Sequence, residues 1–307
     1  MNKNTIGDRP IASVSRKFGE IDILIALAPV VAWACICFSM RALLLVALSA
    51  LVCLLLDLLF SFLIEKRISR DLVHSAATGI IISLTTSHTA PLWVPTVACA
   101  VAMTTAKYQF AFWGKRGNIF SPAALGILLC ALLPGNNSYF VDCFRSGAMP
   151  SEGLFHTIIG NTEGAMGTVC TLILVISAVY LMLRGTLSFK CFLAGSVALA
   201  ALSIMIYPEW TTYMDNIAYQ FAAGGTLFYM IFVAFDQRCL PFTGLGKLIY
   251  GALFAALMYL FRCYTALPAP EAIAALSVNL LAPIIDYLTR PAPFGGRIRK
   301  AKKQDLT

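Results

Sequence analysis

The sequence predicts an all-α, polytopic membrane protein with about ten transmembrane helices, arranged as two inverted five-helix repeats. Three observations predict it: composition, the length of the apolar runs, and an odd number of runs in each half. Of 307 residues, 59% are hydrophobic and 12% are charged, about half the charge share of an ordinary soluble domain. The charges cluster between long apolar runs.

A helix needs about 20 apolar residues to cross the hydrocarbon core. The opening segment, 1–20, is polar and basic and carries no small-residue cleavage pattern, so no removable signal peptide is expected. The first repeat, 21–134, holds runs at 21–40, 42–64, 72–87, 91–110 and 119–134. The third and fifth are short and contain Gly or Pro, so broken or partly spanning helices are expected there. A polar loop follows at 135–164. The second repeat, 165–288, holds runs at 165–183, 187–206, 217–235, 246–262 and 268–288, and a basic tail, 289–307, ends the chain. Five spans per half require the second copy to be inverted. "SHTAPLW" after the third span and "QRCLPFT" after the eighth place Pro91 and Pro241 in matching positions, and "FSPAALGILLCALLP" and "PAPEAIAALSVNLLAP" close the two halves. In inverted repeats with interrupted helices, the site lies near the repeat interface at mid-membrane.

Lys and Arg fix the orientation. With the N-terminus placed in the cytoplasm, only Arg41, Arg145 and Arg262 of the 23 bases fall on the outer side. Such a bias puts both termini inside and the 135–164 loop outside. The net charge of +8 is therefore topological. Arg290, Arg297, Arg299, Lys300, Lys302 and Lys303 directly follow the last span, and no nucleic-acid partner is expected; the lipid bilayer is.

Ten cysteines lie mostly singly in apolar runs (Cys53, Cys99, Cys130, Cys170, Cys191), where thiols behave as small hydrophobes. Cys35 and Cys37, two apart on a helix, point to different faces, and Cys143 and Cys263 are the pair expected to share the outer face. No metal site is predicted. Asp57 is the one acid well inside a span, and an ionisable group there is by default a functional candidate; reaching the interface or pairing with Lys66 or Arg67 is the plainer alternative. His74 and His88, at opposite ends of the third span, read as satisfied polar end-residues. No catalytic residue is predicted.

Several stretches carry a resemblance in their order. They are "GKLIYG" (246–251), Arg262, Glu271, "NLLAPIID" (279–286), "TRPAPFG" (289–295), "GNIFSPAALG" (117–126), "SAATG" (75–79), "APLW" (90–93), "FVAFDQ" (232–237, with Asp236) and the series Gly160, Gly164, Gly167. Together they resemble the D subunit of the Rnf electron-transport complex and the B subunit of the sodium-translocating NADH:quinone reductase. The resemblance implies a bacterial inner (cytoplasmic) membrane location and other membrane subunits of such a complex as partners. It also implies flavin. In that family an outward loop ending in Ser-Gly-Ala-Thr carries FMN through a threonine phosphoester. Here the loop reads Ser146-Gly147-Ala148-Met149, and a thioether has no hydroxyl to esterify, which excludes covalent FMN at Met149. Cys143 stands where the family has an acid, and Gly167-Thr168-Val169 stands where the family has Gly-Glu-Thr. By resemblance, the flavin-binding candidates are Ser146, Gly147, Ala148 and Met149 together with Asn118, Ser121 and Pro122. Ser121 stands where the family has Asn. Asp57 and Asp236 are the ion-pathway candidates.

The expected function is a membrane subunit of an ion-translocating electron-transport complex that passes electrons through non-covalently bound riboflavin or FMN. The alternative is a stand-alone channel or transporter for a small uncharged solute, lined by Thr85, Thr86, Ser121, Thr226 and Asn279.

Overall fold

The computed structural model describes residues 10–65, 72–105, 120–135, 165–206, 213–222, 225–265 and 267–289. Among these the chain is helical, with no strand. The apolar runs dictate this: a backbone in lipid must satisfy its own N–H and C=O groups, and a helix does so within one segment.

The helices, in chain order, are α1 (Pro10–Phe38), α2 (Met40–Phe60, continued by a π-helical turn, Ser61–Glu65), α3 (Leu72–Leu84), α4 (Trp93–Ala102) and α5 (Pro122–Leu132). They are followed by α6 (Thr171–Leu183), α7 (Phe189–Met205), α8 (Tyr213–Ala222), α9 (Thr226–Ala234), α10 (Gly244–Tyr264) and α11 (Pro270–Thr289). Four helical stretches are long and apolar enough to span a bilayer: Gly19–Phe38, Met40–Leu63, Gly244–Tyr264 and Pro270–Thr289. Counted as one broken span, the bent pair α8 and α9 makes a fifth. Helices α3 to α7 are apolar but shorter. Helices of this length and composition describe a multi-pass membrane protein, with large apolar side chains such as Leu55, Phe62, Ile176, Val197 and Ile284 facing outward.

The expected short third and fifth helices are present. Residue Ser121 closes the start of α5: its hydroxyl accepts from Ala124 N at 3.5 Å, and Pro122 fills the first turn, where a missing N–H costs nothing. The eighth run, read from sequence as one span over 217–235, is instead two helices meeting at Gly225. The backbone there has φ +73°, and a Cβ would stand 2.6 Å from Thr168 Cγ2. A left-handed conformation in that space admits only glycine.

The helices pack through small residues. A Cβ on Gly79 of α3 would lie 2.6 Å from Ser49 O of α2, and one on Gly251 of α10 would lie 2.3 Å from Cys191 O of α7. Hydrocarbon tails are as apolar as leucine, so close backbone approach and not hydrophobic exclusion holds such helices together. The interior is aromatic at α9 and α10, where Phe228, Tyr229, Phe235, Tyr250 and Phe254 are fully or almost fully buried.

Candidate functional site

Two ionisable side chains singled out in the sequence are brought to one turn. The first turn of α3 presents His74 and Ser75 in succession. The Ser75 hydroxyl donates to Asp57 Oδ2 of α2 at 2.8 Å, and His74 Nε2 stands 3.9 Å from Asp236 Oδ2, just beyond α9. Asp57 is wholly buried (0% exposed). A carboxylate in such a place needs hydrogen bonds or a countercharge to remain ionised. The Asp236 carboxylate also accepts from the Arg238 N–H through Oδ1 at 3.2 Å. His74 is therefore more than a polar helix end: it links the two halves of the chain.

Ion pairs flank this turn. Arg238 donates to Glu20 of α1, and Arg184 Nε donates to Asp22 Oδ1 at 2.9 Å, the same oxygen that accepts from Tyr180 OH at 3.2 Å. Gln237 Nε2 donates to the carbonyls of Gly185 and Thr186, each at 2.7 Å. These contacts tie the start of the apolar stretch of α1 and the end of α6 to the Asp236 segment. In the sequence, Arg184 and Arg238 read only as topological charges.

A second polar cluster lies at the other end of α10. Arg262 Nη1 donates to Gln220 Oε1 at 3.0 Å and to Thr226 Oγ1 at 3.1 Å, and Nη2 stands 3.3 Å from Glu271 Oε1. The Arg262 and Glu271 side chains are 10% and 1% exposed. The Tyr229 hydroxyl and Gln220 Nε2 nearby are buried without a hydrogen-bond partner among the described residues. Between the two clusters the chain breaks helices on both sides of one strap. Gly167 N donates to Leu84 O at 2.7 Å and Met166 N to Thr86 O at 3.3 Å, where α3 ends, while Thr168 faces the Gly225 break.

The flavin candidates fare differently. Asn118 and the loop residues Ser146, Gly147, Ala148 and Met149 lie outside the described residues. Ser121 is 1% exposed, and its hydroxyl is engaged in capping α5; with Pro122 it holds a helix start and turns no polar group outward. The hydroxyls named for a solute route are likewise engaged. Thr85 Oγ1 donates to Ile82 O and Thr86 Oγ1 to Ser83 O, Thr226 accepts from Arg262, and Asn279 Oδ1 accepts from Tyr250 OH. One contact had no signal in the sequence: the Cys99 thiol of α4 lies beside Cys53 and Ser49 of α2.

A match to the NQR2, RnfD, RnfE family covers residues 12–295. The chain belongs to this family. It is 24% identical over 301 residues to the D subunit of the Na(+)-translocating ferredoxin:NAD(+) oxidoreductase complex of Acetobacterium woodii, covering 92% of this chain and 91% of that one. It is 25% identical over 261 residues to the D subunit of an ion-translocating oxidoreductase complex of Alcanivorax borkumensis (72% and 75% covered). It is 28% identical over 267 residues to the B subunit of the Na(+)-translocating NADH-quinone reductase of Haemophilus influenzae (77% and 64% covered). Family membership agrees with the resemblance carried by the C-terminal motifs, and these relatives are subunits of ion-translocating oxidoreductase complexes.

Proposed function

We propose that this chain is a membrane subunit of an ion-translocating electron-transport complex in the bacterial inner membrane, with Asp57 and Asp236 on its ion route. The observation that carries this reading is the convergence of both acids on the first turn of α3, in a chain of this family. An acid inside a membrane domain is costly and marks pathways by default; two acids from different halves, held through neighbouring residues of one turn, define a station.

The architecture proposed is ten spans in two inverted five-helix repeats, with both termini cytoplasmic. Its support is a recurring set of neighbours. Helix α2 packs on α4 as α7 packs on α10, α4 on α5 as α10 on α11, and α3 on α5 as α9 on α11, while α1 meets α6 and α5 meets α11 across the halves. The helix breaks after Leu84 in the first half and at Gly225 in the second add support, because interrupted helices in both halves accompany a site between inverted repeats.

In inverted membrane vesicles containing the full complex, Asp57→Asn and Asp236→Asn are each expected to reduce ion movement to near the level of vesicles lacking this chain. Electron transfer by the isolated electron-input side should be retained. Unchanged ion movement in both variants would remove the two acids from the route.

The cofactor proposed is a flavin, riboflavin or FMN, held non-covalently. Met149 stands where a hydroxyl is needed for a phosphoester, and a thioether sulfur cannot supply it. When bound, the flavin supplies the redox chemistry, and the protein supplies position and surroundings. Protein purified in mild detergent is expected to release all its flavin on denaturation. A polypeptide band that stays fluorescent after denaturation would show a covalent link and overturn this part. The engaged hydroxyls of Thr85, Thr86, Ser121 and Thr226 weigh against the solute-channel alternative.

A further inference from the structure

We propose that His74 and Asp236 form a proton-binding station, so that the ion taken up by this chain at the first turn of α3 is H+ and not Na+. The inference rests on the ion-route reading above and names its ion.

Hard cations such as Ca2+ and Mg2+ are held by shells of oxygen atoms, and the same preference applies to Na+; imidazole nitrogen suits protons and transition metals instead. Here both carboxylate oxygens of Asp236 already face nitrogen. Oδ1 accepts from the Arg238 N–H at 3.2 Å, and Oδ2 faces His74 Nε2 at 3.9 Å. A sodium ion placed on Oδ2 would sit against an imidazole. A proton needs no shell. On the imidazole it creates an imidazolium, whose Nε2–H faces Oδ2. The separation of 3.9 Å is too long for a hydrogen bond, so protonation brings a gain that the neutral pair lacks: a small approach then makes a charge-assisted bond. No electrons move in this step, and release returns the proton to water or passes it to a carboxylate.

The surrounding charges allow the station to cycle. From its own segment Asp236 is faced by Arg238 and by the Cys239 thiol. From α10 it is faced by Tyr250. Arg238 is itself paired to Glu20 of α1. From α2, Asp57 reaches the same turn through Ser75. His74 thus stands on a turn flanked by two acids, with the nearby arginine already paired. An imidazole has an ordinary pKa of about 6.5 and changes charge within the physiological range. Its burial, 7% exposed, makes that charge change consequential for the packing of α3 against the Asp236 segment.

The chain has three histidines, at positions 74, 88 and 156, so each imidazole can be followed separately. The full chain, labelled with 15N-histidine and held in lipid nanodiscs, is titrated from about pH 5 to about pH 9 by NMR, with signals assigned by His88→Gln and His156→Gln. The expected result is a His74 titration within that range. Asp236→Asn moves its midpoint by more than about half a pH unit, leaving the other two histidines in place. Raising sodium against choline to about 0.15 M at constant ionic strength leaves the His74 midpoint where it was. A midpoint that falls as sodium rises would mean that Na+ displaces the proton. It would overturn the proposal and leave the ion-route reading standing. A His74 that keeps one charge state over the whole range would overturn it as well. Should Asp236→Asn fail to fold, the sodium series on the unaltered protein decides the matter alone. Failure of the ion-route reading shows separately, as unimpaired ion movement in the Asp→Asn vesicles.

Discussion

Gly251→Leu is expected to leave little folded protein. Helices α7 and α10 share the most extensive helix–helix contact among the described residues, and two glycines make it possible. A Cβ at Gly251 would meet Cys191 O at 2.3 Å, Cys191 C at 3.1 Å and Gly195 N at 3.2 Å; one at Gly195 would meet Phe235 Cζ at 3.0 Å and Gly251 O at 3.3 Å. Gly251 thus faces only backbone, which cannot turn aside as a flexible side chain can, and Gly195 faces the Gly251 carbonyl and the Phe235 ring. Relief requires moving one helix away from the other along its length. Extra methylenes in a packed core cost about 1–3 kcal/mol where neighbours can adjust, so Gly251→Ala falls in that range and Gly251→Leu exceeds it. In a bilayer the separated helices gain no compensation from water exclusion, and lost packing is lost stability. The control is Gly244→Ala, where a Cβ meets only Lys190 Nζ at 3.2 Å, the end of a flexible chain. The measurement is the SDS concentration at which detergent-solubilised protein loses half its tertiary structure. A Gly251→Leu midpoint matching that of Gly244→Ala would show that the α7–α10 contact does not hold the fold.

This contact also shows where sequence reading succeeds and where it stops. Apolar run length is a local quantity, so the existence and order of the helices were legible, as were the short third and fifth helices with their Gly and Pro. Whether a glycine packs or breaks a helix is not local. Gly251 lies inside a continuous helix and Gly225 lies at a break, yet both sit in similar apolar surroundings. The difference is what stands opposite: Cys191 carbonyl in one case, Thr168 and a left-handed backbone in the other. Asp57 was legible as a rare acid within an apolar run, and Asp236 as part of the "FVAFDQ" stretch that carries the family resemblance. Their meeting on the α3 turn was not, because His74 and Asp236 lie in different halves and no spacing rule connects them. Nor does any spacing rule connect Glu20 and Asp22 with Arg238 and Arg184, which the fold brings to them. Charge counting predicts a side of the membrane, whereas only packing gives the partner.

Removing one partner of the Arg262–Glu271 pair is expected to be nearly as damaging as Gly251→Leu, and removing both is expected to be milder. Four helices meet at this pair. Arg262 belongs to the last turn of α10 and Glu271 to the first turn of α11, while Gln220 of α8 and Thr226 of α9 accept from the guanidinium. The pair therefore spans the broken eighth run and holds its two pieces at their angle. Glu271→Leu takes the carboxylate away from a guanidinium that is 10% exposed; Gln220 and Thr226, which also accept from it, are neutral. Breaking a buried pair in this way costs about 3–5 kcal/mol, because the remaining charge stays desolvated. The double variant Arg262→Met/Glu271→Leu removes both charges and keeps the volume filled, so it is expected to recover most of the loss. Its stability should exceed the sum of the two single effects by about 0.5–3 kcal/mol, the range for coupled neighbours. The same SDS midpoint reads all three proteins. If the double variant is as unstable as the two singles added together, the residues act independently. The angle between α8 and α9 is then held by the Gly225 backbone and its contact with Thr168, with no contribution from the ion pair.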